Sequence, residues 1–242
     1  MRLAIVTGHS RGLGAALVHA LLARGERVLG IARHAAAADH GALEQWALDL
    51  ADPLPAAQRL RAWLAAQDAR AIERVVLINN AGVVARPQAL RDADGAELSR
   101  ALRVGLEATL LLCAAFLGAT RDWPAERRVL NVSSGLGRRP MASSAAYCAA
   151  KAGMDHLSRC LALEEATLAR GARIVSLAPG VIDTDMQRTL RAADAAEFPD
   201  HARFVALQRE GALQSPDQAA TRLLDFLDRA DFGREPVADV RG

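Results

Sequence analysis

Aromatic side chains are scarce in this sequence, at 4% of its 242 residues, and only one of them is a tyrosine. Ala, Leu and Val fill the apolar positions instead, which favours helices over an all-β core. Charge of one sign is also missing. Against 28 acidic residues stand 30 basic ones, and the formal net charge of +2 gives no reason to expect nucleic acid or a membrane surface as partner. Cysteine is limited to Cys113, Cys148 and Cys160 without CxxC spacing, which argues against a disulfide or zinc framework and predicts reduced packing residues in a cytosolic protein. No apolar run of about 20 residues stands out as a membrane span. The chain opens on a strand-like run, with no charged leader and apolar segment ahead of it. The six histidines are scattered, with neither HxxxH spacing nor a two-His-one-carboxylate group, so no metal is expected.

What is present is apolar material, 51% of the chain, enough for one large domain over residues 1–242. Short apolar runs at 3–7, 28–32, 75–79, 129–133 and 174–178 read as buried strands, with 237–240 as a short last one. Helical periodicity lies between them, for instance at 14–23, 98–120 and 143–169. That alternation predicts an α/β fold, a parallel sheet covered by helices on both faces, with a ligand crevice at the carboxyl ends of the strands. Residues 34–41 read as a loop, and the charged, helical stretch 183–214 as a flap inserted over the crevice, centred on 184–214. Ser215-Pro216-Asp217-Gln218 has the pattern of a helix start, with Ser at N-cap, Pro at N1 and Gln at N3.

Thr7-Gly8-His9-Ser10-Arg11-Gly12-Leu13-Gly14 joins the first strand to the first helix with GxxxGxG spacing. Glycines there let backbone approach a pyrophosphate at the helix N-terminus, although three glycines also suit a plain tight connection. Farther on, Tyr147 and Lys151 are four apart in a predicted helix and so share a face. A free phenol has a pKa of about 10, and a neighbouring ammonium favours the phenolate, which tunes Tyr147 for proton exchange with an alcohol or carbonyl oxygen. Ser134 stands at the end of the strand at 129–133, with Ser133 as the alternative.

Four motifs in order, Thr7 to Gly14, Asn79-Asn80-Ala81-Gly82, the set Ser134, Tyr147 and Lys151, and Pro179-Gly180 followed by Ile182 and Thr184, resemble the short-chain dehydrogenase/reductase family over essentially the whole chain. The resemblance implies a single Rossmann-type domain with a doubly wound parallel sheet. It implies that Gly8, Ser10, Arg11, Gly12, Leu13 and Gly14 hold a nicotinamide dinucleotide, that Asp49 and Leu50 meet its adenine, and that Asn80, Ala81 and Gly82 shape the cleft. Pro179, Gly180, Ile182 and Thr184 would meet the nicotinamide end, and Lys151 the ribose hydroxyls. Ser134 would hold the substrate oxygen while Tyr147 exchanges its proton. Asp49 could equally be an ordinary loop carboxylate.

At the end of the second strand an acid would bind a ribose 2′-hydroxyl and repel a 2′-phosphate. Ala32 and Arg33 stand there instead, and Arg33 with Arg11 could clamp a 2′-phosphate, so NADPH is expected over NADH. The alternative is that both are solvated surface charges.

One departure concerns the fourth helix, where the family places a relay asparagine in a Val-Asn-Leu-like segment and this chain has Val104-Gly105-Leu106. Residues 147–155, 161–165 and 178–187 narrow the resemblance to the sepiapterin reductase and benzil reductase branch, whose members reduce ketones or vicinal dicarbonyls with NADPH. Asp239 is then a candidate substrate anchor, or an ordinary polar residue near the terminus. The substrate wall is expected from 136–141, including Leu136, from 186–190, including Met186, and from the surroundings of Val83, with Arg138 and Arg139 read as solvated loop charges ahead of an acid-binding role. Long apolar helices resemble the family's dimer and tetramer surfaces. Rival readings are a dehydratase or epimerase, for which the stretch after Pro179 is too short, and a non-catalytic cofactor sensor, which Gly105 makes credible.

Overall fold

The computed structural model describes residues 1–36 and 40–241. β1 (Arg2–Thr7) leads through α1 (Gly12–Ala23), β2 (Arg27–Ala32), β3 (Leu43–Ala47) and α2 (Pro53–Ala65) to β4 (Arg74–Asn79). Then come α3 (Gly95–Leu102), α4 (Ala108–Ala119), β5 (Glu126–Val132), α5 (Ala145–Glu165) and β6 (Arg173–Ala178). The chain ends with α6 (Asp185–Arg191), α7 (His201–Arg209), α8 (Pro216–Asp228) and β7 (Val237–Asp239). Among the described residues the strands form one sheet in the order β3-β2-β1-β4-β5-β6-β7, every pair parallel. This is a doubly wound, single Rossmann-type domain.

Alternation along each strand decides what each helix covers. Leu3 and Ile5 of β1 face a layer made with Leu60 and Leu64 of α2 and with Leu112 and Phe116 of α4. Ala4 and Val6 face the opposite layer, with Leu17 and Leu21 of α1 and Leu223 and Leu227 of α8. Burial of each such leucine is worth about 1.5–3 kcal/mol. Because both faces are covered, β1, β2 and β4 read in the sequence as near-continuous apolar runs, while β5 and β6 carry the buried polar residues Asn131 and Ser176 within theirs. The sheet order reverses between β1 and β4, which opens a crevice beyond their carboxyl ends.

β3 was absent from the predicted strands, because it is an edge strand in which only Trp46 is buried. Its Glu44 accepts the indole N–H of Trp46 at 2.8 Å and of Trp63 at 3.0 Å, so an acidic residue occupies a position that an apolar pattern would need. The predicted helix 98–120 is α3 and α4 joined by a π-helical turn, Arg103–Glu107, that contains the buried Gly105. Contrary to the expectation of no membrane-length apolar run, Gly95–Ala119 is long and apolar enough to cross a bilayer, with mean hydropathy 1.7. Half of it is buried inside the protein, where Leu112, Cys113 and Phe116 belong to the core layer beneath the sheet. The helix expected over 143–169 runs only over Ala145–Glu165, with Ser143 in the left-handed region at φ 60° just before it.

α8 starts as its sequence predicts, in a capping box of Ser215 and Gln218 with Pro216 at N1. The three thiols are free, but Cys160 is exposed on α5 and so is not the packing residue that was expected. The predicted loop 34–41 is irregular where described, and residues 37–39 lie outside the described residues.

Candidate active site

A cavity of about 650 Å³ opens at the carboxyl ends of the strands. Its floor is the glycine-rich turn. Gly8 and Gly12 take positive φ of 67° and 53°, and a Cβ on Gly14 would sit 2.0 Å from the Gly8 carbonyl oxygen. Thr7 Oγ1 accepts the backbone N–H groups of Asn80 (3.0 Å) and Ala81 (2.9 Å), while Asn80 Nδ2 donates to the Thr7 carbonyl oxygen at 2.9 Å. The segment after β4 is thereby stitched to the turn after β1. No side chain caps α1, and its first turn holds no acid, so its amino end offers backbone donors and a positive dipole end beside the cavity. The cradle fits the pyrophosphate of a dinucleotide.

At the far end of this cradle Ala32 and Arg33 line the cavity with Asp49 and Leu50. Among the described residues no acceptor meets the Arg33 guanidinium. Asp49 is held by Arg100 at 3.0 Å. Burial opposes the charge of Asp49, but the Ala51 amide and the Arg100 guanidinium outweigh it and hold the carboxyl below its usual range. Arg11, which also lines the cavity, is paired with Asp185 at 2.7 Å, because Asp185 at the start of α6 reaches it; Asp185 also bonds Arg188.

α5 brings Tyr147 and Lys151 to the same cavity, with Ser134 opposite on the segment after β5. Ser134 and Tyr147 line the same cavity, and the Ser134 hydroxyl acts on the Tyr147 phenol to draw its pKa down. Ser133 points elsewhere, donating to Asp155 at 2.6 Å, and Ser134 is therefore the serine presented to Tyr147. Lys151 Nζ donates to the Val132 carbonyl oxygen at 2.6 Å and lies 5.8 Å from the Tyr147 ring centroid. The ammonium was expected to draw the phenol's pKa down. Burial instead pushes Tyr147 above its ordinary value, against a smaller lowering by the Ser134 hydroxyl. The same burial pulls Lys151 down to about 8, with Asp155 opposing.

Every other sequence-derived candidate, including Ser10, Leu13, Gly82, Pro179, Gly180, Ile182 and Thr184, also lines the cavity, as do Leu136 and Met186. Asp239 does not. Arg241 takes its carboxylate at 2.7 Å and is itself the residue that reaches the cavity wall. Arg138 is no solvated loop charge, since it donates to the buried Asp155 at 3.2 Å and to the Ala238 carbonyl oxygen at 2.8 Å. Arg139 is exposed and lines the cavity. Gly105 packs against α5, where a Cβ would come within 3.1 Å of Ala150 Cβ.

Sequence reasoning passed over three residues. His9 is buried in the glycine-rich turn, with its Nε2 2.7 Å from Gln45 Oε1 and its ring filling the space left by Gly30. Gln187 is buried in the cavity wall on α6. Asp155 sits one helical turn beyond Lys151, and that i, i+4 spacing was the available signal.

Residues 2–195 match the short chain dehydrogenase family, and the protein belongs to that family. It is 33% identical to a benzil reductase ((S)-benzoin forming) of Bacillus cereus over 247 residues, covering 99% of each chain. It is 32% identical to the sepiapterin reductase of Meriones unguiculatus over 246 residues, covering 94% of this chain and 92% of that one. Among solved structures it resembles a metagenomic short-chain oxidoreductase in complex with NADP, with a TM-score of 0.67, 27% identity and coverage of 98% and 94%.

Proposed function

We propose that this protein is an NADPH-dependent reductase that converts a ketone or vicinal dicarbonyl compound to the alcohol. The observation that carries this reading is the convergence of Ser134, Tyr147 and Lys151 with the glycine-rich cradle on one cavity. Similarity to benzil and sepiapterin reductases supports the carbonyl class. Ala32 in place of an acid, Arg33 beside it with no bonded partner among the described residues, and the NADP held by a solved relative support the phosphorylated cofactor.

In this reading the turn Gly8 to Gly14 holds the pyrophosphate and Arg33 the 2′-phosphate, joined by Arg11 once it leaves Asp185. A bound reduced nicotinamide supplies hydride to the carbonyl carbon. Ser134 Oγ–H donates to the carbonyl oxygen and fixes its position. The Tyr147 hydroxyl passes its proton to that oxygen, so C=O becomes CH–OH. A phenol held above its ordinary pKa keeps this proton at neutral pH. Lys151, buried beneath the tyrosine, supplies positive charge next to the phenolate that remains. Leu136, Met141, Met186, Leu190 and Phe204 wall the substrate end, so the carbonyl is flanked by apolar or aromatic groups. α6 and α7 carry part of that wall and act as the flap.

The test is oxidation of NADPH, and separately NADH, with benzil, other diketones and a pterin. Turnover with NADPH that disappears in Tyr147→Phe is expected; no oxidation with any carbonyl compound overturns the reading. Gly105 favours one second reading, a protein that binds NADPH with little turnover, whose signature is cofactor binding without oxidation. Exposed Leu110 and Leu163 on α4 and α5 favour a homodimer or homotetramer, which light scattering resolves. Three free thiols suit a reducing, cytosolic setting.

A further inference from the structure

Asp155 is 2% exposed, on the α5 face that carries Tyr147 and Lys151, at spacings of eight and four residues. Its Oδ1 accepts two hydroxyls, from Ser133 at the end of β5 (2.6 Å) and from Ser176 in β6 (2.7 Å). Its Oδ2 accepts Arg138 Nε at 3.2 Å, and the same guanidinium donates to the Ala238 carbonyl oxygen in β7. One carboxylate therefore joins α5, β5, β6 and, through Arg138, β7. The short 3-10 turn Gly135–Gly137 lies directly on this group, since a Cβ on Gly137 would stand 2.9 Å from Asp155 Oδ2. Ser134 sits between the Ser133 and Arg138 anchors, and its Oγ accepts the Leu136 amide at 3.2 Å.

We infer that Asp155 is a positioning residue: its buried carboxylate clamps the segment from Ser133 to Arg138 so that Ser134 meets Tyr147, and it holds a negative charge one turn of α5 beyond Lys151. The inference rests on the reading of Ser134, Tyr147 and Lys151 as the reacting groups. Two jobs in one carboxylate have a physical reason. A buried charge must be matched by donors, and Asp155 finds three of them on the segment and strand that need holding. The groups around Lys151 are Tyr147 and Asp155 on α5, the Val132 carbonyl on β5 and Gly82 after β4, while Arg138 faces Asp155 from the turn and Asp239 lies beyond it on β7. Among the described residues, Asp155 is thus the carboxylate whose charge acts on Lys151, from one turn along α5.

Because the chain has one lysine and one tyrosine, both partners can be read without assignment. Labelling with ¹⁵N,¹³C-lysine gives one side-chain NMR signal whose pH titration is that of Lys151, and the ultraviolet phenolate band titrates Tyr147. Two variants separate the two jobs. Asp155→Asn keeps size and an acceptor but loses charge, while Ser133→Ala/Ser176→Ala keeps the charge and loses two anchors. In Asp155→Asn the lysine midpoint falls below its wild-type value. In the double variant it stays, and the tyrosine midpoint rises as Ser134 withdraws. In both, kcat for benzil reduction drops, by about 10²-fold for a misplacement of this kind, with KM for NADPH little changed. Wild-type kcat in both variants overturns the inference, and so does a loss of turnover with neither titration moved. Should Asp155→Asn fail to fold, the double variant alone decides the clamp. A wild-type protein that reduces no carbonyl defeats the proposed function, while the two titrations still judge Asp155.

Discussion

Arg11 Nη1 lies 2.7 Å from Asp185 Oδ2, tying the glycine-rich turn to the first residue of α6 across the cavity that both line. Their side chains are 67% and 43% exposed, so the pair adds at most about 1 kcal/mol to stability. Its importance lies in competition, because Asp185 occupies a guanidinium that a 2′-phosphate would use. Asp185→Asn is expected to lower KM for NADPH by about two- to fivefold, the equivalent of such a pair, with KM for NADH unchanged. Paired initial-rate measurements with the two cofactors check this.

Arg33 has no competing partner among the described residues. Replacing it by Ala removes a charge-assisted contact and should raise KM for NADPH by roughly tenfold or more, with little effect on NADH. Arg33→Asp should reverse the preference, since a carboxylate there accepts a ribose hydroxyl and repels a phosphate. Equal effects on both cofactors would place the 2′-phosphate elsewhere.

Lys151, held near 8, gives up its proton well before an exposed lysine does. Above about 8 the unfolded chain keeps a lysine proton that the native one has released, so stability toward denaturant rises with pH from about 8 to about 9. Below it the buried ammonium costs up to about 3 kcal/mol. Tyr147 closes the window from above: its folded-state pKa is raised, so the stability linked to it is lost as pH climbs past its unfolded value of about 10. Cys113 acts in the same sense earlier: its folded-state thiol is pushed up to about 12, so the stability linked to it is lost as pH climbs past its unfolded value of about 9 and offsets the lysine's gain there. Urea unfolding over this pH range should show the rise in the wild type and its absence in Lys151→Met, which is more stable at pH 7.

A Cβ on Gly14 has nowhere to go, since the nearest atom is a backbone oxygen. Gly14→Ala should destabilise by about 1–3 kcal/mol or more and abolish NADPH binding. Gly41, with nothing within 4 Å of an added Cβ, is the control, and Gly41→Ala should leave binding intact. Thermal melts with and without NADPH separate the two.

Restoring an asparagine at Gly105 meets Ala150 Cβ at 3.1 Å. Gly105→Asn alone should therefore lose stability, and Gly105→Asn/Ala150→Gly should recover part of it. A double-mutant cycle measures a coupling of about 0.5–3 kcal/mol. Additive effects would mean that the π-helical turn accommodates the side chain by itself.

The buried strands were legible because a sheet covered on both faces writes its positions as apolar runs, and the cavity residues because glycine turns and the Tyr147 to Lys151 spacing are local signals. β3 was not, since an edge strand that puts Glu44 between two indoles carries no such run. Arg138 was misread because it is defined by a partner distant in sequence, Asp155, and of the two readings of Asp239 the structure favours the ordinary polar residue, whose charge its neighbour Arg241 claims. The phenol's upward shift belongs to the same class, because burial is a property of the assembled site and outweighs the neighbour that spacing reveals.

Six guanidinium groups, those of Arg11, Arg33, Arg100, Arg139, Arg203 and Arg241, line the cavity, and Arg33 and Arg139 have no bonded partner among the described residues. Guanidines condense covalently with vicinal dicarbonyl compounds. The proposed substrate is thus also a reagent against the site that receives it, and each reduction that removes one of its two carbonyls disarms it. Speed of turnover, in such a cavity, doubles as self-protection: supplied with dicarbonyl but starved of NADPH, the protein should inactivate itself at Arg33 and Arg139 first.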